Sequence, residues 1–408
     1  EPPNLVLLSV DTLRTDFLGC YGCEWDISPH IDTFAENALL FEDVLCETPL
    51  TAPSFAAMFT SRYPRMVGVT RNGLCVSKGV PLVAERIRDA GYYTFAVQSN
   101  WTLKGKLSGL DRGFEVYDDS YNRRRWGFYK GERDAEGVTR ITMELLEKRP
   151  DGKPFFAWIH FSDPHAPYHY HKEFSPTKQS LYKLNKNERT RVKYASEVAY
   201  TDHYIGKVLD ALPKNTIVVF AADHGESLYE HGYVGHGRNL HQPSTHVPLM
   251  IQAPGVSPDR SAAPVGNMDI GPTLLGLLGI GRMPGMLGCD ILNDTIPSDR
   301  TRFMETYGGA VPKVPGMKQL LRATSPVQQS AVKKGYKLIC SANRPDALYC
   351  LPDDNGEERN IIAHNGEWDK ILNDLLKSWN KTYARGTETA NPLTEEDLDM
   401  LKSLGYIE

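Results

Sequence analysis

The sequence predicts an α/β fold: a doubly wound, mostly parallel sheet, followed by a small C-terminal α+β subdomain. The first observation is a set of three apolar runs, at Leu5–Val10, Phe155–Phe161 and Thr216–Ala222. Near-continuous apolar stretches of this length are typical of strands buried on both faces of a parallel sheet. The second observation is that helical segments separate the strands, as they do in a doubly wound sheet. A chain of 408 residues is long enough for one large domain and a smaller one.

The large domain is expected to span residues 1–300, with strands and helices following one another. Its strands are predicted from the short apolar runs at Leu5–Val10, Leu40–Val44, Tyr93–Gln98, Phe155–Phe161, Thr216–Ala222 and Val247–Gln252. Its helices are predicted in the segments between them, at Ile31–Ala38, Pro53–Thr60, Leu82–Ala90, Glu132–Lys148, Asn187–Leu212 and Asp269–Leu278. The polar, aromatic and basic segments Tyr121–Lys130 and Tyr168–Lys186 are predicted to be loops that shape substrate access.

The pattern changes after about residue 300, where a C-terminal subdomain over residues 301–385 is expected. Short strands are predicted within Gln328–Cys340 and Ala347–Leu351, with a turn near Asn343–Asp346, followed by a helix at Asp369–Asn380. This order suggests a small antiparallel sheet covered by one helix. The remaining residues, 386–408, are predicted to be a tail with a short polar helix at Leu393–Glu408.

Composition excludes several classes of protein. With 41% hydrophobic and 24% charged residues, the chain has the composition of a soluble globular protein. The net charge of −5 gives no reason to expect nucleic-acid binding. No apolar run approaches the roughly 18 residues of a membrane helix, so we expect a soluble protein. The chain starts at Glu1 without Met and without a leader, which indicates a trimmed N-terminus and leaves the compartment, cytoplasmic or exported, undetermined. The oligomeric state is likewise undetermined. The seven cysteines are odd in number, which favours free thiols over a disulfide framework.

Each of the three apolar runs named above ends in side chains that bind metals. The first ends at Asp11, the second at Asp163 and His165, and the third at Asp223 and His224. Ligands of open α/β sheets bind beyond the carboxyl ends of the strands, so these side chains are expected to meet on one rim. Asp and His together suit zinc or manganese, with calcium as a further candidate. The sequence therefore predicts a divalent metal site with one or two ions.

A hydroxyl near the start of a helix is the candidate nucleophile. Pro53 suits the first helical turn, and Thr51 lies just before it. The free N–H groups and positive dipole of a helix start favour a phosphate or sulfate group. Thr51 is a poor nucleophile unless a metal or base lowers its pKa, and a metal held by the rim residues could do so. The alternative is that Thr51 is a plain helix cap.

A second group of candidates follows the third strand. His236 comes twelve residues after His224, and the glycines between them allow the chain to turn back toward the rim. Together with Asp163 and His165, His236 could form a second metal position or a cluster that contacts the ester oxygens. For His160 we expect only a role in orienting a neighbouring side chain.

At this point the sequence resembles the sulfatase family within the alkaline phosphatase superfamily. The matching segments cover nearly the whole chain in order: NLVLLSVDTLRTDFLGCYG, SPHIDTFAENALLFEDV, TAPSFAAMFTSRYP, FSDPHAPY, VVFAADHGESLYEHGYVGHGRNL, VPLMIQAPG, KKGYKLI, LYCLPDDNGEERNI and LTEEDLDMLKSLGYIE. The resemblance implies a large α/β domain with a small C-terminal subdomain and a divalent metal. It also implies hydrolysis of sulfate or phosphate esters through a covalent intermediate.

The chain departs from the sulfatase pattern at the residues that decide the chemistry. Sulfatases carry Cys or Ser, converted to formylglycine, where this chain has Thr51, and the Arg of that motif is replaced by Phe55. The usual pair of acids after the first strand is reduced to Asp11 and Thr12. The lysine expected after the Tyr93–Gln98 strand is replaced by Ser99-Asn100. Threonine cannot become formylglycine by that route.

A threonine nucleophile resembles the phosphotransfer branches of the superfamily instead. These are the nucleotide pyrophosphatase/phosphodiesterases, the lipoteichoic acid synthases and the phosphoethanolamine transferases. The transferases also show a DHGES-type segment with a histidine twelve residues on, as His236 is here, and a histidine pair comparable with His160 and His165. The comparison favours phosphate over sulfate chemistry.

The sequence therefore predicts a metal-dependent hydrolase that cleaves phosphate esters, as a phosphodiesterase or by phosphotransfer, through a covalent intermediate on Thr51. The expected substrate is a small-molecule, glycan or lipid-head-group ester. Asn100 is predicted to bind a non-bridging oxygen, and His165 and His236 to assist the leaving group. Secondary candidates for binding the anion are Arg71, Lys104 and Arg238.

Two alternatives stay open at this point. The first is a sulfatase or phosphonate hydrolase that works with an unmodified threonine. The second is a catalytically inactive, sulfatase-like binding protein. The retained Asp11, Asp223 and His224 argue against the second, because unpaired acids on a rim have no structural use.

Overall fold

The structure, a computed structural model, describes residues 2–121, 123–125, 129–308, 325–391 and 394–395. Its strands, in chain order, are β1 Asn4–Val10, β2 Leu39–Phe41, β3 Val44–Leu45, β4 Tyr93–Val97, β5 Val116–Asp118, β6 Arg123–Arg125, β7 Tyr129–Glu132, β8 Phe155–Phe161, β9 Thr216–Ala222, β10 Ser227–Leu228, β11 Val234–Gly235, β12 Leu249–Gln252, β13 Asp259–Ser261, β14 Val265–Gly266, β15 Arg302–Thr306, β16 Gln328–Lys333, β17 Tyr336–Ser341 and β18 Ala347–Cys350. Its α-helices are α1 Pro29–Ala35, α2 Thr51–Thr60, α3 Val83–Asp89, α4 Gly105–Ser108, α5 Ala135–Lys148, α6 Lys186–Ala211, α7 Gln242–Thr245, α8 Ile270–Leu277 and α9 Gly366–Thr382.

An eight-stranded sheet in the order β13-β2-β12-β9-β1-β8-β4-β5 forms the centre of the molecule. β1 pairs in parallel with both β8 and β9. β12 runs antiparallel to its neighbours β9 and β2, so the sheet is mixed but mostly parallel. The predicted α/β fold class is confirmed.

The register of the three central strands sets the position of the functional rim. Val10, the last residue of β1, lies opposite Phe161 of β8 and Ala222 of β9. All three strands therefore end at the same level, and the residues that follow them, Asp11 and Asp223 among them, come to one edge of the sheet. Each of the three runs is apolar and is buried on both faces of the sheet. Such burial requires a register that keeps every run inside the core, so the strands end at the same level.

Helix α2 lies in the core rather than on the surface. All ten of its residues are buried. The rings of Phe55 and Phe59 both lie with centroids 4.7 Å from that of Trp158 on β8. Burial of one such side chain stabilises the fold by about 1.5–3 kcal/mol. The helix is thereby fixed against the sheet next to the rim where it begins.

Two predictions around β6 and β7 were wrong. The segment Tyr121–Lys130, predicted to be a loop, contains strand β6 and the start of strand β7, which pair antiparallel with each other. The second wrong prediction is the start of the next helix at Glu132. Because β7 continues to Glu132, helix α5 begins at Ala135 instead. The side chain of its N-cap residue, Asp134, accepts a hydrogen bond from Gly137 N. Apolar periodicity marks a helix but not the cap that starts it.

The C-terminal part contains a four-stranded antiparallel sheet in the order β15-β16-β17-β18. The predicted Gln328–Cys340 segment is two strands, because Lys334 and Gly335 both adopt positive φ and reverse the chain there. The predicted turn at Asn343–Asp346 does join β17 to β18. Helix α9 covers the sheet, and its Trp379 stacks on Phe303 with centroids 5.3 Å apart.

Most of the predicted tail helix Leu393–Glu408 falls outside the described residues. The division of the chain at residues 300 and 385 stays a prediction.

The seven cysteines are free thiols, as expected. Within the described residues, no helix is both long enough and apolar enough to cross a lipid bilayer.

Candidate active site

Three side chains on the rim converge on one point. One donor atom each from Asp11, Asp223 and His224 lies within 4.8 Å of the others, and all three residues are fully buried. Asp11 directly follows β1, and Asp223 and His224 directly follow β9. The flush ends of two adjacent strands therefore assemble this group.

Asp11 is surrounded by donors and imidazoles. Asn100 Nδ2 donates a hydrogen bond to Asp11 Oδ2, and His160 Nε2 lies 3.7 Å from the same oxygen. Burial raises the pKa of the Asp11 carboxyl, but the opposing effects of His165, His160 and His224 prevail and hold that pKa well below its usual value. Asp11 is therefore an anion, and its Oδ1 has no hydrogen-bond partner.

The pKa of Asp223 is shifted in the opposite direction to that of Asp11. Its Oδ1 accepts hydrogen bonds from the backbone N–H of Thr12 at 3.2 Å and of His224 at 2.8 Å. Its Oδ2 is buried without a partner. Burial, together with the negative charge of Asp11, raises the pKa of Asp223 well above its usual value. Two buried carboxylates this close repel each other unless a cation lies with them.

His224 presents one nitrogen to the carboxylates. Its Nδ1 lies 2.9 Å from Gly225 O, which assigns the proton to Nδ1. Its Nε2 lies 3.4 Å from Asp223 Oδ2 and 3.7 Å from Asp11 Oδ1. Burial and the nearby His236 lower the pKa of His224 to about 3, so the ring is neutral. Two unpartnered carboxylate oxygens and a neutral imidazole nitrogen are a donor set that fits a divalent cation.

The Thr51 hydroxyl lies beside this group. Thr51 Oγ1 is 3.3 Å from His224 Nε2, and Thr51 is the first residue of α2. Leu50, in an extended conformation, occupies the N-cap position. The start of α2 is fixed from two sides: Ser54 Oγ donates to Asp223 O at 2.7 Å, and Ala52 N donates to Asn72 Oδ1 at 2.9 Å.

Two further histidines lie next to the three converging side chains. The His236 ring centroid is 4.5 Å from that of His224 and 4.9 Å from that of His165. The His236 Nδ1 atom is 3.3 Å from Oε1 of the fully buried Glu226. Asp163 follows the end of β8 in the chain and is buried. It is not one of the three residues whose donor atoms converge. A second metal position on Asp163, His165 and His236 stays a prediction.

The three secondary candidates for anion binding all contact other protein groups. Arg71 Nη2 lies 3.4 Å from Glu388 Oε2. Lys104 Nζ lies 5.5 Å from the centroid of the Tyr121 ring. Arg238 donates to the backbone carbonyl of Val234.

Sequence reasoning missed three residues that hold the site together. Asn72 accepts from Ala52 N, Glu226 contacts His236, and Asn267 Nδ2 donates to Asp223 O at 2.8 Å. Glu226 could have been found, since it lies two residues after His224 in a segment already singled out. Asn72 and Asn267 lie in segments without a pattern, and only the fold brings them to the rim.

The chain is similar to known sulfatases over most of its length. A sequence model of the family described as Sulfatase matches residues 3–280. An ulvan-active sulfatase of Formosa agariphila is 27% identical, over 94% of this chain and 81% of that protein. A choline-sulfatase of Rhizobium meliloti is 24% identical, over 89% of this chain and 83% of that protein.

Solved structures share the fold at lower identity. Ps i-CgsB in complex with k-i-k-neocarrahexaose superposes with a TM-score of 0.74 and 19% identity, covering 99% of this chain and 98% of that one. The phosphonate monoester hydrolase of Agrobacterium radiobacter superposes with a TM-score of 0.74 and 17% identity, covering 97% of this chain and 99% of that one. The chain therefore shares its fold with these solved structures.

Proposed function

The chain belongs to the sulfatase family of ester hydrolases, and from that premise we propose that it cleaves phosphate esters through a covalent intermediate on Thr51. The observation that carries the proposal is the 3.3 Å distance between Thr51 Oγ1 and His224 Nε2. This distance brings the hydroxyl to the edge of the buried Asp11, Asp223 and His224 group. The proposed activity is that of a phosphodiesterase or of a phosphotransfer enzyme.

Asp11, Asp223 and His224 would hold a divalent metal, with zinc or manganese as the proposed ions. When bound, the metal lowers the pKa of a nearby hydroxyl and offsets the negative charge of the ester. Asp11 and His224 meet the requirement for ligation without losing a proton, because Asp11 is an anion and His224 is neutral. Asn100 keeps Asp11 oriented through its hydrogen bond to Oδ2.

The proposed reaction has two steps. In the first, the Thr51 hydroxyl gives its proton to water and Oγ1 bonds to phosphorus, while the bond from phosphorus to the leaving oxygen breaks. His165 or His236 donates a proton to that oxygen. In the second, water or an acceptor alcohol gives its proton to the same histidine as its oxygen bonds to phosphorus. The Thr51 Oγ1–phosphorus bond then breaks, and Oγ1 takes back a proton from water. Phosphoryl transfer depends mainly on positioning and electrostatics, which a fixed, buried rim supplies.

Residue identity at position 51 favours phosphate over sulfate. Threonine cannot supply the formylglycine on which ordinary sulfatases depend, and Phe55 stands where their arginine stands. A phosphate ester can transfer its phosphoryl group directly to a hydroxyl. The solved phosphonate monoester hydrolase indicates that this fold also accommodates a phosphorus ester.

A sulfate ester is the second candidate, and the relatives favour it. The ulvan-active sulfatase and the choline-sulfatase are sulfatases by name, and one solved relative is complexed with neocarrahexaose. By this alternative the chain would act on a sulfated glycan or small molecule with Thr51 unmodified. A glycan, lipid-head-group or small-molecule ester is the proposed substrate class under either chemistry.

The test is a panel of aryl substrates assayed with metal-loaded protein: a phosphate monoester, a phosphodiester, a phosphonate monoester and a sulfate. We expect kcat/KM to be highest for a phosphorus ester. Thr51→Ala should lower kcat by at least about a hundredfold, and mass spectrometry of quenched wild-type reactions should detect phosphate on Thr51.

Thr60→Ala is the matched control, because Thr60 is buried at the opposite end of α2 and its hydroxyl bonds only to Ala56 O among the described contacts. This variant should retain the wild-type rate. Full turnover by Thr51→Ala would contradict the nucleophile assignment. Preferred hydrolysis of the sulfate ester would favour the second candidate instead.

A further inference from the structure

We propose that a segment without regular secondary structure near the C-terminus, Arg385–Asn391, helps to position the Thr51 end of helix α2. We call this segment the C-terminal strap. It lies on the loop of residues 65–76, which in turn holds the first turn of α2. Within the strap, Glu388 is a positioning residue. The inference rests on the proposed function, because it concerns how Thr51 is held.

The strap pairs with the loop through backbone hydrogen bonds at both ends. Gly386 N donates to Arg65 O at 2.8 Å, and Cys75 N donates to Thr389 O at 2.9 Å. The Thr389 hydroxyl also donates to Cys75 O at 3.1 Å. The loop is therefore bound to the strap near its first residue and near its last.

Glu388 makes the side-chain contacts between these ends. Its Oε1 accepts a hydrogen bond from Thr70 Oγ1 at 2.5 Å, and its Oε2 lies 3.4 Å from Arg71 Nη2. The Arg385 guanidinium pairs with Glu388 from within the strap. The side chain of Glu388 is 24% exposed, so these contacts are partly shielded from water. One carboxylate thus joins two consecutive residues of the loop to the strap.

Two glycines allow the backbones to approach this closely. Gly68 has a φ of +73°, and a Cβ there would lie 2.1 Å from Thr387 O. A Cβ on Gly386 would lie 2.2 Å from Met66 O. Neither position accepts a side chain while the strap is in place, because real Cβ atoms do not come within 3.0 Å of other heavy atoms. The loop and the strap thus each contribute one glycine, Gly68 and Gly386, that leaves space for the backbone of the other.

The loop connects the strap to the nucleophile end of α2 through Asn72. This residue follows Arg71 directly, is 5% exposed, and accepts the hydrogen bond from Ala52 N. Ala52 is the neighbour of Thr51, and its N–H has no partner within the helix because it lies in the first turn. A displaced loop would remove the Asn72 acceptor and loosen the turn that carries Thr51.

A second set of contacts leads from the strap toward Asp11. Asn391 Nδ2 donates to Lys106 O at 2.8 Å, and Val76 N at the end of the loop donates to Ser108 O at 2.9 Å. Both acceptors lie on α4, which closely follows Asn100 in the chain. Asn100 donates to Asp11 Oδ2. The strap therefore supports both segments that contribute an asparagine to the rim.

The test uses two variants that disturb the strap in different ways. Gly68→Ala places a methyl group against Thr387 O, and Glu388→Ala removes the contacts to Thr70 and Arg71. We expect kcat on the preferred substrate to fall at least tenfold in both, with KM changed by less than threefold. Glu388→Gln keeps an acceptor for Thr70 and should retain kcat within threefold.

Matched controls separate strap displacement from backbone strain and from loss of a charge. Gly152 has a φ of +68°, close to that of Gly68, but nothing lies within 4 Å of its Cβ position. Gly152→Ala therefore imposes similar strain without displacing the strap. Asp374→Asn removes a carboxylate that pairs with Lys370 on the exposed face of α9. Both controls should turn over substrate at the wild-type rate.

Amide hydrogen exchange gives a readout that does not depend on turnover. In Gly68→Ala and Glu388→Ala, exchange should become at least tenfold faster in peptides covering residues 51–55 and 65–76, and stay unchanged in peptides covering β1, β8 and β9. Faster exchange across the whole chain, or lost activity with unchanged exchange at 51–55, would overturn the positioning role. So would wild-type kcat in both variants. If the wild-type protein hydrolyses no substrate of the panel, the proposed function fails, whereas the exchange experiment still decides whether the strap holds the α2 start.

Discussion

At the scale of single residues, the site consists of groups whose burial would be costly if each stood alone. Asp11 is anionic, Asp223 has a raised pKa, and each keeps one oxygen without a hydrogen-bond partner. Unpartnered buried carboxylate oxygens cost several kcal/mol unless a cation or a proton satisfies them. Their persistence next to a neutral His224 is the physical reason to expect a metal ion there.

The metal assignment predicts a specific loss. Asp11→Asn keeps the size of the side chain and the packing of β1 but removes the charge, so bound metal should fall at least about tenfold. Elemental analysis after dialysis against a weak chelator measures this. Asp210→Asn, on the exposed part of α6, removes the same charge far from the site and should leave the metal content unchanged. Full metal occupancy in Asp11→Asn would contradict the proposed ligand set.

At the scale of elements, helix α6 holds the loop that follows β1. The Tyr194 hydroxyl donates to Thr12 O at 2.7 Å and accepts from Arg14 N at 3.0 Å. Thr12 has a φ of +57°, a conformation that residues other than glycine seldom adopt and that its surroundings must enforce. Because Thr12 N donates to Asp223 Oδ1, the loop geometry is transmitted to the site.

Removing this hydroxyl tests the role of α6. Tyr194→Phe leaves the buried Thr12 O and Arg14 N without their partner, so the free energy of unfolding should fall by about 1–3 kcal/mol. Urea unfolding measures the change, and kcat should fall with it. Tyr182→Phe loses the same hydroxyl from a residue that is 92% exposed and should leave both quantities unchanged. An unaltered stability in Tyr194→Phe would show that the loop is held by other contacts.

At the scale of the whole molecule, the C-terminal sheet is joined to the rim by a buried ion pair. Lys337 on β17 lies with Nζ 2.8 Å from Glu357 Oε1, and both side chains are fully buried. Glu357 Oε2 accepts from Gln242 N at the start of α7, and Lys337 Nζ lies 3.4 Å from Thr245 Oγ1 at the end of that helix. The pair thus connects β17 to the segment that follows His236.

Removing one charged residue of the pair should lower the free energy of unfolding far more than replacing both residues. Lys337→Ala leaves the Glu357 carboxylate buried without its cation, so unfolding free energy should drop by about 3–5 kcal/mol. Lys337→Met combined with Glu357→Gln should recover most of that loss. Lys370→Ala, which breaks a pair whose lysine is 80% exposed, should change stability by less than about 1 kcal/mol. Equal stability of the single and double variants in thermal or denaturant unfolding would contradict the role of the pair.

The sequence by itself determined the fold class and the central residues of the candidate site. Long apolar runs separated by helices are typical of central strands that are buried on both faces of a sheet. The residues that follow such strands then lie on the rim of the sheet, and here these are Asp11, Asp223 and His224. These inferences depend on local pattern and on strand direction, both of which are present in the linear chain.

Only the tertiary structure decided how that rim is supported. Asn72, Asn267 and the strap around Glu388 lie in segments without periodicity, and Glu388 is far along the chain from the Thr70 and Arg71 that it contacts. Contacts of this kind depend on the shape of two surfaces after folding, such as the space left by Gly68. Because no local preference encodes that shape, the sequence could indicate the candidate reacting groups but not what holds them in position.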